Sequence, residues 1–97
     1  ELYRRGVAAL EAGRTGDAIG YWELVWQAWP AFEGVGDHLA QEYLTLGMEA
    51  FAAGRLREAV GHWEDAIRVK PGDDRARGYL ERAHQQLERM ERISGRR

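Results

Sequence analysis

The sequence predicts an all-α domain of stacked helix pairs. Three observations carry that prediction. The chain aligns with itself at an offset of 41 residues. Its apolar residues recur at helical spacing. Glycine and proline fall where those periodic segments stop.

The alignment matches GVAALEAGRTGDAIGYWELVWQAWP (6–30) with GMEAFAAGRLREAVGHWEDAIRVKP (47–71), and ten of 25 positions are identical. They include Gly6/Gly47, Gly13/Gly54, Ala18/Ala59, Trp22/Trp63 and Pro30/Pro71. A fixed period of this size points to repeated supersecondary units that stack to bury a common core.

Each unit reads as two helices. In the first, a helix over about 1–12 stops at Gly13, a residue that can take positive φ. A second helix runs over about 15–29 and ends before Pro30, whose ring clashes with continued helix. The second unit repeats the plan. Tyr43, Leu44, Met48 and Phe51 mark a helix over about 37–53, Gly54 stops it, and a helix over about 56–69 ends before Pro71. Short connections make each pair antiparallel neighbours. Gly6, Ala9, Gly47 and Ala50 on first helices, and Ala18 and Ala59 on second helices, are small enough to let the pairs approach closely. A fifth helix is expected over about 73–93, with Asp73 or Asp74 as its N-cap. It carries Leu80, Ala83, Leu87 and Met90 on one stripe. Arg82, Gln85, Gln86, Arg89 and Arg92 lie opposite, the profile of a helix that caps a stack.

The expected organisation is one domain over 1–97: repeat one (1–36), repeat two (37–72), the capping helix (73–93) and an arginine-rich tail (94–97). At 97 residues the chain suits one domain. A domain this small buries only about 60–65% of its unfolded surface, so the core must be efficient. No run of about eighteen apolar residues is present, so no membrane insertion is expected. Cysteine is absent, which removes thiolate metal sites and leaves the compartment open between cytoplasm and periplasm. A start without Met or a signal-like segment reads as that of a fragment or processed product.

The formal net charge of −2 is unevenly spread. Between Arg14 and Arg55 there is no Lys or Arg, whereas Asp17, Glu23, Glu33, Asp37, Glu42 and Glu49 all fall there. Residues 71–97 carry seven Arg against five acids. An acidic middle argues against a nucleic-acid footprint, which needs a continuous basic face. Arginine alternating with glutamate near the end reads as a solvated helix face.

The second unit, with Tyr43, Leu46, Gly47, Gly54, Ala59, Trp63, Ala66 and Pro71, resembles the tetratricopeptide repeat (TPR) family. The first unit resembles it at Gly6, Gly13, Ala18, Trp22 and Pro30, and departs at Leu2 and Val25. The segment after Pro71 is similar to the family's solvating helix. The family period is about 34 residues, so seven additional residues fall between Pro30 and Tyr43. Gly34 and Gly36 there read as a flexible turn, and Asp37 as the N-cap of a lengthened third helix. The WExxW at 22–26 also loosely resembles a small helical bacterial family of uncharacterised proteins, although that family's adjacent His-Glu is replaced by Ile19 and Gly20.

The resemblance implies a right-handed superhelix and a non-catalytic protein–protein interaction or scaffolding role in a larger bacterial-type protein. First helices of the family line a concave groove. Here that groove would display Tyr3, Val7, Leu10 and Glu11, then Gln41, Leu44, Thr45, Met48 and Phe51, then Arg75, Tyr79 and Arg82. Such a surface suits an apolar peptide or helix. The acidic residues favour a partner carrying Lys or Arg. The family's clamp for a C-terminal carboxylate is not expected, since the first and third helices lack its Lys, Arg and Asn. Homodimerisation through Leu2, Tyr3 and Val7 at the open end is the alternative.

The remaining candidates are few. Trp22 and Trp26 pair with Trp63 and Ile67 of the sister repeat and read as core. Trp29 pairs with Lys70, so it is either covered by Phe32 or Val35 or forms an exposed aromatic patch with Phe32. Glu81 and His84 spell one E-x-x-H. Di-iron bundles need two such motifs plus further carboxylates, so a surface pair is expected, and an enzyme centred on them is the remote alternative. No catalytic residue, metal or cofactor is expected.

Overall fold

The computed structural model describes residues 1–95. It contains five α-helices and one short 3-10 turn, and no strand among the described residues. The helices are α1 (Leu2–Glu11), α2 (Thr15–Ala28), α3 (Val35–Ala52), α4 (Leu56–Val69) and α5 (Asp74–Gly95). The arginine-rich tail expected at 94–97 is helical through Gly95, and its last two residues lie outside the described residues.

Each hairpin turns in the same way. Gly13 has φ 80°, its N–H donates to the Leu10 carbonyl (2.9 Å), and the Arg14 N–H donates to Ala9 (2.8 Å). Gly54, Phe51, Arg55 and Ala50 repeat the arrangement. These paired bonds satisfy carbonyls that the helix end would otherwise leave open, and they require a left-handed residue, which glycine supplies without strain. Trp29 and Lys70 then end α2 and α4 in extended backbone, as a residue before proline prefers.

Successive helices pack on one another, α1 on α2, α2 on α3, α3 on α4 and α4 on α5, in an elongated body of 55 × 26 × 18 Å. The core is rich in alanine: Ala9, Ala18, Ala40, Ala50, Ala59, Ala66, Ala76 and Ala83 are all buried. Trp22, Leu39 and Val35 are its largest fully buried side chains. Small residues bring helix backbones close, and the two tryptophans supply most of the apolar area per residue.

Close approach is tightest at the tryptophan seats. A Cβ on Gly6 would lie 2.2 Å from Trp22 Nε1, and one on Gly47 would lie 2.2 Å from Trp63 Nε1. Each indole N–H donates across the hairpin, from Trp22 to the Tyr3 carbonyl (3.2 Å) and from Trp63 to the Leu44 carbonyl (3.3 Å). The acceptor is in both cases three residues before the glycine, so one Trp–Gly–carbonyl arrangement is built twice.

The segment between the units differs from expectation. Asp37 does not cap α3. A 3-10 turn over Phe32–Gly34 leads into the helix, and Gly34, at φ 66°, is the N-cap residue. The helix therefore starts at Val35, ahead of the expected 37. Asp37 sits in its first turn and pairs with Lys70 (3.2 Å). Gly36 is not a flexible turn either. A Cβ there would lie 2.9 Å from the Val69 carbonyl oxygen, so glycine lets α3 approach the end of α4. The additional residues are spent on helix: α3 has 18 residues where α1 has 10. At α5 the capping reading holds for Asp73. Its Oδ1 accepts the N–H groups of Arg75 (3.0 Å) and Ala76 (3.3 Å).

Candidate functional site

The groove residues read from the sequence separate into four groups. Met48, Phe51 and Tyr79 come together with Ala52, Trp63 and Arg82 around a half-open cleft of about 300 Å³ between α3 and α5. Its walls are almost wholly apolar. Tyr79 stacks against Trp63 at 5.3 Å, and Phe51 packs on the same indole at 5.9 Å. Met48 stands half out of the wall, 51% exposed. Arg82 brings the only formal charge to the cleft lining.

Tyr3, Val7 and Leu10 form the second group, half-buried and packed against the core. Tyr3 lies edge-on to Phe32 (5.6 Å), and its hydroxyl shares a hydrogen bond with His38 Nε2 (2.9 Å). His38 stacks on Trp22 at 5.3 Å. His38 and Tyr79 are sister positions at the 41-residue offset, so each unit's tryptophan is covered by a ring from the following first helix. Glu11, Gln41, Thr45 and Arg75 form the third group, exposed and outside the cleft.

Leu44 is the fourth group by itself. It is 2% exposed and belongs to the core, so it presents no surface to a ligand. The helix has apolar neighbours on two sides, α2 and α4, and a single wheel position cannot tell an inter-helix contact from a groove wall.

The tryptophans also sort unevenly. Trp22 and Trp63 are buried. Trp26 is half-buried and lies beneath the Arg68 guanidinium, 5.2 Å from its centroid. Trp29 is 61% exposed. Phe32 touches it (5.2 Å), and Val35 is fully buried in the core.

A polar bridge between the units was not legible in the sequence. Glu23 on α2 accepts a hydrogen bond from the Tyr43 hydroxyl on α3 and is gripped by both terminal nitrogens of Arg68 on α4, at 2.5 and 3.3 Å. Burial would raise the Glu23 carboxyl, but the hydrogen bonds from Arg68 and Tyr43 and the Arg68 charge hold it below its ordinary value. Burial and the Glu23 hydrogen bond push the Tyr43 phenol up. Glu64, the sister of Glu23, is exposed and has no such role. The groups form a structural clasp: every charge is paired.

Glu81 and His84 are both exposed on α5. Among the described residues no three His, Asp or Glu side chains gather in a way that could hold a metal ion. No described helix is long and apolar enough to cross a membrane.

No protein-family model matches the chain, and no curated protein matches it.

Proposed function

We propose that this chain is a TPR-like, non-catalytic interaction module that binds a partner peptide or helix along the face formed by α1, α3 and α5. The observation that carries the reading is the cleft of Met48, Phe51, Ala52, Trp63 and Tyr79 with Arg82 at its edge. An apolar hollow with one placed polar group is the usual form of a recognition site. The cleft takes one apolar side chain of the partner as an anchor, and burying a large aliphatic or aromatic group contributes about 1.5–3 kcal/mol.

The charge around the face adds a direction. Arg82 favours an acidic residue beside the anchor. Glu11 and the acids of the first unit favour Lys or Arg further along. The preferred partner is thus an apolar segment that carries Lys or Arg at the α1 end, as the acidic residues suggest, and an acid at the α5 end.

Met48→Glu is the test. Met48 is half exposed, so the helical circular dichroism should survive while capture of the partner is lost. Unchanged capture by a folded Met48→Glu protein would remove the cleft from the binding surface.

A further inference from the structure

Charge on α5 is sorted by side. Arg75, Arg82 and Arg89 recur at seven-residue steps, which brings them onto one side of the helix. Asp74, Glu81 and Glu88 recur at the same step one position earlier, about 100° round the helix. The acids have basic neighbours there. Arg77, His84 and Arg92 stand one turn from them, and Glu91 pairs with Arg57 of α4 (3.5 Å). Two of the arginines have no such neighbour. The residues three and four positions from Arg82 and Arg89 are Gly78, Tyr79, Gln85, Gln86, Arg92 and Ile93, with no acid among them. Among the described residues neither guanidinium makes an ion pair or a hydrogen bond. Arg75, by contrast, is held by Asp73 (3.3 Å).

The two unpaired arginines belong to a longer stripe. Tyr79, Arg82, Gln86, Arg89 and Ile93 follow one another at steps of three and four residues. Tyr79 and Arg82 line the cleft. Gln86, Arg89 and Ile93 carry the stripe away from it and are exposed, Ile93 by 65%. The residues that α5 buries are others, Ala76 and Ala83. Steps of three and four mark the line that a second helix follows, crossing at about 20°. Arg82 and Arg89 stand about 10.5 Å apart along the axis, a rise that seven residues of a neighbouring helix match.

We infer that the acidic end of the partner is an α-helix that leaves the cleft along α5: its apolar anchor fills the cleft, and acids seven residues apart on one face meet Arg82 and Arg89. Charge complementarity selects this occupant. Two guanidinium groups without a carboxylate in reach attract acids and repel a basic segment. Tyr79 and Ile93 bracket the pair, so a helix with apolar groups among its acids covers the stripe better than a wholly polar tail. The helix rests on the cleft reading and adds to it a direction, a conformation and Arg89, which lies outside the cleft lining.

Fluorescence anisotropy of labelled peptides on the 97-residue chain tests it. The probe is an alanine-based helical peptide with a central leucine and glutamates one and three turns to either side, on the leucine's face. An isomer carries the same glutamates on the opposite face. A third peptide has prolines between leucine and glutamates to break the helix. The probe should bind most tightly and weaken as salt rises. Arg82→Gln and Arg89→Gln are substitutions at exposed positions that keep the helix. Each should weaken the probe by about two- to fivefold, the range of an exposed ion pair. The doubly substituted chain should no longer distinguish the probe from its isomer. An isomer or a proline peptide that binds as tightly as the probe overturns the inference. So does a probe that fails to bind, or one that ignores Arg89→Gln. Self-association of the chain that Arg89→Gln abolishes would assign the stripe to a second copy and overturn it too. Met48→Glu keeps the two readings apart: binding lost with Met48→Glu but untouched by Arg89→Gln leaves the cleft standing and removes the helix along α5.

Discussion

The pyrrole edge of Trp63 lies where a side chain on Gly47 would begin: a Cβ there would be 2.2 Å from Nε1 and 2.5 Å from Cδ1. The indole cannot slide away, because its N–H is committed to the Leu44 carbonyl and its faces are held by Phe51 and Tyr79. Gly47→Ala should therefore destabilise, by about 2–3 kcal/mol on the scale of core overpacking. For a domain this size that is roughly 10 °C or more in Tm. Gly20→Ala on α2 should have the opposite sign. Nothing lies within 4 Å of its Cβ position, so a helical alanine should stabilise by about 0.5–1 kcal/mol. Thermal melts of the two variants beside wild type check both signs.

Removal of the inter-unit clasp should show in the pH profile. The Glu23 carboxyl is held below its ordinary value of 4.5. A lowered folded value means that its contribution is complete above 4.5 and is lost as the pH falls through the folded value. Glu23→Gln should cost about 1–2 kcal/mol at pH 7, reduced by the solvent open to Arg68. It should also flatten the loss of stability below pH 5. Glu42 runs the other way. Burial raises its carboxyl, against the opposing pull of His38. Its contribution is present at low pH and lost as the pH rises, so Glu42→Gln should stabilise slightly at pH 7. Urea midpoints between pH 3 and 7 measure both effects.

Asp73 is 4% exposed, and its carboxylate accepts two backbone N–H groups and the Arg75 guanidinium. None of the caps of α1, α2, α3 and α4 makes a side-chain cap bond. Asp73→Ala should cost about 1 kcal/mol, within the usual range for a lost N-cap. The loss should appear first as faster amide exchange at the start of α5. Exchange unchanged at Arg75 and Ala76 would contradict the cap's role.

Arg82→Glu should leave the fold intact, because Arg82 is exposed. In the cleft reading it should reverse the preference for an acidic over a basic residue beside the anchor. Competition between two peptides that share an apolar anchor and differ in that one charge measures it. An unchanged preference would place charge recognition elsewhere.

The sequence announces what recurs within one helix pair. Gly13 and Gly54, Trp22 and Trp63, and Pro30 and Pro71 are each visible because the chain states them twice, and they carry the hairpin turns, the buried indoles and the helix ends. What depends on the next helix is stated once or disguised. Glu23 and Glu64 are the same residue at sister positions, yet only Glu23 has Tyr43 and Arg68 brought to it. Leu44 has groove-like spacing and is core because α3 is flanked on two sides. Gly36 resembles a turn residue, but the Val69 carbonyl beside it explains its size. The cleft was partly legible, since Met48 and Phe51 share a face of α3 and Tyr79 reads onto the same groove from α5. Its enclosure by Trp63 and Ala52 follows only from the packing angle of α3, α4 and α5.

The uneven exposure of the four tryptophans gives the chain an intrinsic reporter. Trp22 and Trp63 emit from an alanine-lined interior, Trp26 from beneath a guanidinium, and Trp29 from water. A neutral collisional quencher should therefore reach one indole in preference to the other three. Anything that covers Trp29 removes that accessible fraction and shifts the emission to the blue, without any label attached.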